Sequence, residues 1–129
     1  MALGIIGRFA PRLTTLMQRS VEDVKNWMNM FRWIVKLIRD EYQVEEARLT
    51  RAATLEHDLG LSQDQIGAVF AAIAESFSIF FPFCAPCEVE RLEELCMLAS
   101  WLSGLYKRPD FVCARFEAKC RDANPWLVT

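Results

Sequence analysis

The sequence predicts an all-α fold, and three observations carry that prediction. Apolar residues recur at the three-and-four spacing of a helical face in successive stretches of the chain. Two of those stretches are preceded by residues with the form of a helix capping box. No segment of strand length alternates strictly between apolar and polar residues, and no internal repeat is visible.

The first helix is expected over about residues 20–42. Ser20 followed by Asp23 has the capping pattern, and Val24, Trp27, Met28, Phe31, Ile34, Val35, Ile38 and Tyr42 then share one face. Periodicity fades from 43 to 58, where Thr50 and Thr54 stand among charged residues, so a long structured loop is expected. Ser62 and Gln65 repeat the capping pattern ahead of Ile66, Val69, Phe70, Ile73 and Phe77, which predicts a second helix over about 63–77. Residues 80–86 read as an aromatic connector broken by prolines, with a short separate helix as an option near Glu88. Leu92, Leu95, Cys96, Ala99 and Leu102 mark a third long helix ending near Tyr106, ahead of Pro109. Val112, Cys113, Phe116 and Cys120 then predict a closing helix that stops at Asn124 and Pro125.

A chain of 129 residues, 53% hydrophobic and 25% charged, is of a size and composition to bury a core as one domain, and it falls outside the disordered and fibrous classes. Its net charge of −2 conceals a segregation. Residues 1–40 hold seven Lys and Arg against three acids, while residues 41–100 hold three Arg against eleven Asp and Glu. Such a pattern reads either as a docking surface or as an ordinary solvated face. Nucleic acid is not an expected partner, because the chain is acidic and its aromatic residues fall on core faces.

The longest uncharged apolar runs, 66–74 and 76–87, are far shorter than the roughly 20 residues of a membrane-spanning helix. Arg8, Pro11 and Arg12 interrupt the opening stretch before a signal-peptide core can form, so a cytoplasmic location with reduced thiols is the expectation. Within residues 1–19, Leu3, Ile5, Ile6, Phe9, Leu13, Leu16 and Met17 with Arg8, Arg12 and Arg19 have the make-up of a basic amphipathic helix for an anionic membrane surface. The other reading is an extension that packs on the bundle or on a partner.

Cys84 and Cys87 form a CxxC pair that Cys113 and Cys120 would have to complete for a four-thiolate zinc site. The six residues between the second two exceed the usual spacing, so no metal is expected. A thioredoxin-type role places CxxC at a helix start beside a strand, and no strand is predicted. Cys96 lies on an apolar stripe, where a thiol behaves as a small hydrophobe. His57, the one histidine, has no nucleophile or metal cluster at a recognisable spacing and reads as a solvent-facing turn residue. With no glycine-rich phosphate loop, HExxH or GxSxG, the chain is not expected to be an enzyme.

The stretch Leu55-Glu56-His57-Asp58-Leu59-Gly60-Leu61-Ser62-Gln63-Asp64 resembles the acyl carrier proteins, in which an apolar residue, an acidic pair and Leu-Gly precede Asp-Ser-Leu. Trp33 through Thr50 resembles that family's first helix and following turn, and Ile73-Ala74-Glu75-Ser76-Phe77 with Pro82 resembles the end of its second. The likeness also extends to uncharacterised bacterial carrier-like proteins that keep the Asp-Leu-Gly turn. It implies an antiparallel helical bundle over 33–106, flanked by helical extensions at 1–32 and 107–129.

In that register the serine that would carry 4′-phosphopantetheine is replaced by Gln63, whose amide cannot attack coenzyme A as a hydroxyl does. Ser62 lies one position earlier, about 100° around the helix. The acidic second-helix face that steers partners of the family is reduced to Glu75, among Gly67, Ala68, Ala71, Ala72 and Ala74. These small residues suit close packing against the chain's own terminal helices or against a partner. The resemblance therefore implies a cofactor-free accessory or regulatory module acting by protein contact, through Ser62, Gln63, Gln65, Ile66 and Val69 with Phe80, Phe81 and Phe83. The alternative is a carrier modified at Ser62 that holds an acyl thioester. The aromatic loop also leaves open a homodimer.

Overall fold

A computed structural model describes residues 21–127. The described residues are all-α, with five α-helices: α1 (Trp27–Tyr42), α2 (Gln63–Phe77), the single-turn α3 (Ala85–Glu88), α4 (Leu92–Leu102) and α5 (Ala114–Ala123). Among the described residues there is no strand. One isolated antiparallel bridge joins Thr54 to Arg91. The residues expected to form a membrane-surface helix, and Ser20 of the expected first cap, lie outside the described residues.

α1 starts seven residues later than the sequence suggested. Val21–Asp23 forms a 3-10 turn, and Asn26, extended at φ −156°, is the N-cap, its side chain accepting from the Asn29 N–H at 2.9 Å. The buried arc is Met30, Trp33, Ile34, Leu37 and Ile38, rotated from the expected stripe; Met28 is exposed and Trp27, Phe31 and Val35 line the margin. Both stripes satisfy the same period, so spacing alone does not choose between them. α1 is continuous through position 33, the expected start of the bundle proper, and α5 buries Phe116 and Cys120 in the same core as the other helices.

α4 stops at Leu102 rather than near Tyr106. Gly104 takes φ +79°, its N–H bonds Trp101 O, and the Leu105 N–H bonds Ser100 O at 2.8 Å, which together make a Schellman stop. α1 packs most extensively on α4 and also meets α2, with Trp33 edge-on to Phe77 at 4.9 Å. The 43–62 segment is stitched to the start of α4: Leu55 N–H bonds Glu90 O at 3.0 Å, Leu92 N–H bonds Ala53 O at 2.9 Å, and Arg91 reaches Ala52 O at 2.7 Å. Leu49, Ala53, Leu55, Leu59 and Leu61 of this loop are buried, so it is a wall of the core. At the other end Glu117 bridges Arg108 and Arg121, Arg121 lies over the Trp101 ring, and the Trp126 indole donates to Leu102 O.

Candidate interaction surface beside helix α2

The start of α2 is built by two reciprocal hydrogen-bonded pairs. Thr54 and Asp58 exchange bonds at 2.9 Å in each direction, and the Asp58 carbonyl also accepts from Arg48. The Thr54 backbone N–H, then its hydroxyl, hold the Asp58 carboxyl below the usual carboxylate range, helped by Arg91 and His57. Gly60, at φ +69°, turns the chain. Ser62 Oγ then accepts from the Gln65 N–H at 3.1 Å while Gln65 Oε1 accepts from the Ser62 N–H at 2.9 Å, a complete capping box.

Two hollows flank the exposed side of α2. At its N-terminal end a cleft of about 550 Å³ is bordered by Glu56, His57, Gln63, Glu88, Glu90 and Glu94. Glu94 is committed, one oxygen accepting from the Glu90 and Arg91 N–H groups at 2.7 and 3.0 Å. Glu56 makes one long contact to the Gln63 amide at 3.5 Å. Further along, a groove of about 270 Å³ has Gly67, Ala71 and Ala74 as its floor and Phe80, Phe81 and Phe83 as its far wall. Pro86 borders both hollows, which therefore adjoin beside α2, the first rimmed by acids and the second apolar.

The far wall is held from two sides. Phe81 is half-buried, edge-on to Phe70 at 4.9 Å. Phe80 is fixed through its backbone by Asn124, which is completely buried: Oδ1 accepts from the Phe80 N–H at 2.9 Å, and Nδ2 donates to Phe80 O at 2.8 Å and Cys120 O at 2.9 Å. The Phe80 ring itself is 60% exposed, tilted against Trp126, and the Phe83 ring stands wholly in solvent.

The structure brings together only part of the face that the sequence suggested. Gln63, Phe80 and Phe83 are exposed and border these hollows. Ile66 and Val69 are 5% and 2% exposed, so they are core residues, because they occupy the same buried arc of α2 as Phe70 and Ile73. Ser62 and Gln65 are engaged with each other. Gly67, Ala68 and Ala71 are exposed, and a Cβ at Gly67 would meet nothing within 4 Å. The acids of the cleft were not predicted as neighbours of α2, since they come from segments more than thirty positions apart in sequence; the Thr54–Arg91 bridge joins them. From the sequence Asn124 reads only as a helix stop.

Among the described residues no group of His, Cys, Asp and Glu is arranged to hold a metal ion, and no helix is long and apolar enough to cross a membrane. Cys96 and Cys120 are fully buried, and burial pushes both thiols up to about 12. His57 is exposed at the rim of the cleft. Comparison of the chain with protein-family models, with curated proteins and with solved structures gave no match.

Proposed function

We propose that this chain is a non-catalytic, acyl carrier protein-like module without the phosphopantetheine serine, and that it captures a basic, amphipathic segment of a partner protein along α2. The observation that carries this reading is the meeting at Pro86 of a cleft rimmed by Glu56, Glu88 and Glu90 with an apolar groove floored by Gly67 and Ala71. A partner with Lys or Arg at one end and aliphatic side chains at the other matches both halves. The carrier alternative has less support, because the Ser62 hydroxyl is engaged in capping and the next position is Gln63.

The test uses a labelled amphipathic peptide with lysines at one end and leucines along one face, and a control peptide with those lysines changed to glutamate. Fluorescence anisotropy is expected to show binding of the first only. Gly67→Leu, which fills the groove, and the double change Glu88→Lys with Glu90→Lys are each expected to weaken it about tenfold or more. Equal affinity for the parent and both variants overturns the reading. So does a phosphopantetheine mass gain on treatment with coenzyme A and a broad-specificity transferase that Ser62→Ala abolishes.

A further inference from the structure

Five cysteines are free, and they divide by accessibility. Cys96 and Cys120 are sealed in the core and protonated, which removes them from thiol exchange at neutral pH. Cys113 is exposed and stands ahead of α5, apart from Cys84 and Cys87 in sequence. The remaining two are neighbours. Cys84 is half-exposed and Cys87 is exposed, and the turn between them is closed by the Cys87 N–H bonding Cys84 O at 2.9 Å.

Cys84 has helical dihedrals, φ −84° and ψ 0°, and the following four residues are helical. In helical geometry two residues three apart have Cα atoms about 5 Å apart, inside the range that a disulfide bridges. Positions three apart on a helical turn are neighbours on its surface; Cys84 borders the hollow beside Lys119 and Cys87 borders the cleft beside Glu88. Lys119, from the neighbouring α5, donates to the Cys84 sulfur at 3.8 Å. The sulfur opens onto a hollow of about 500 Å³ bordered by Pro82, Phe83, Lys119 and Asp122, large enough to admit a small thiol compound.

We propose that Cys84 and Cys87 are a reversible dithiol–disulfide site, oxidised by a low-molecular-weight disulfide, with Cys84 as the attacking thiol and Lys119 as its cationic partner. The Cys84 sulfur attacks one sulfur of the incoming disulfide, breaking its S–S bond and releasing one thiol, and a mixed disulfide forms on Cys84. The Cys87 sulfur then attacks Cys84 Sγ, and the second small thiol leaves. One disulfide is reduced to two thiols while one dithiol becomes a disulfide, and each sulfur that leaves takes up the proton that an attacking thiol gave up. Cys87 borders the acidic cleft and Phe83 borders both the groove and this hollow, but the thiol exchange is read without any partner peptide, so its failure and that of partner binding are distinguishable.

The experiment exposes the full chain to glutathione disulfide over a range of reduced-to-oxidised ratios, quenches in acid, alkylates the remaining thiols and maps them by mass. The expected product is an intramolecular Cys84–Cys87 disulfide that reverts in excess reduced glutathione. In Cys87→Ser, glutathione is expected to remain on Cys84, and adding Lys119→Gln is expected to slow that capture about threefold or more. Circular dichroism confirms that both exposed-site variants fold. The proposal is overturned if Cys84 and Cys87 stay reduced while Cys113 is modified, if the Cys87→Ser adduct sits on Cys113, or if Lys119→Gln leaves the rate unchanged.

Discussion

Helices α2, rich in Ala, Ile and Phe, and α4, rich in Leu, are both largely apolar, yet they serve opposite purposes. None of the eleven residues of α4 is exposed; even Ser100 is out of water, and Leu92, Leu95, Leu98, Ala99 and Leu102 are wholly enclosed. α2 buries Ile66, Val69, Phe70 and Ile73 on one side and leaves Gly67, Ala68 and Ala71 in solvent on the other. Apolar composition alone therefore does not assign a helix to the core. What distinguishes the two is side-chain size on the outer arc: the least buried positions of α4 carry the long side chains of Glu93, Glu94 and Met97, whereas α2 carries Gly67, Ala68 and Ala71 in the middle of its open side.

The sharpest way to break this contrast is Leu98→Ala, in the middle of α4. With its side chain fully enclosed, the loss of packing and the cavity left behind are expected to cost about 2–5 kcal/mol in urea unfolding. A cost below about 1 kcal/mol would mean that α4 can relax and is not the central pillar. Next in size is Asn124→Ala, at the border between core and groove. It removes three hydrogen bonds and leaves the Phe80 and Cys120 groups without that partner, an expected loss of about 2–3 kcal/mol with a faster-exchanging Phe80 amide by NMR. Smallest, and of opposite sign, is Gly67→Ala. A Cβ there meets nothing within 4 Å, so the gain in helix propensity should stabilise the chain by about 0.5–1 kcal/mol in the same denaturation assay. A destabilisation would show that α2's outer face is covered in solution.

The sequence made some of these elements legible and hid others, for identifiable reasons. α2 was readable to the residue because Ser62 and Gln65 cap it and a single apolar stripe follows. The start of α1 is hard to place from sequence because Ser20 and Asp23 have the pattern of a capping box, while the N-cap of α1, Asn26, lacks the reciprocal partner that makes a box conspicuous. The end of α4 was overrun because Pro109 drew the boundary away from Gly104, whose left-handed conformation ends the helix. Of the candidate surface, Gln63, Phe80, Phe83 and the small residues of α2 could be picked out from their types. The acidic rim could not, since it depends on a tertiary pairing between residues 51–55 and 90–93 that no local pattern announces. Ile66 and Val69 enter the expected partner face through the carrier-protein resemblance, whereas the period that predicts α2 places them inward, where both are buried.

Asn124 has one further consequence. Its amide presents a donor and an acceptor as a peptide unit does, so Phe80 is paired as if to an adjacent strand, although its partner is a single side chain at a helix end. The loop that walls the groove thereby borrows its rigidity from the last turn of α5. Loosening that turn would take from Phe80 both of its backbone partners on Asn124, so the aromatic wall depends on the end of α5.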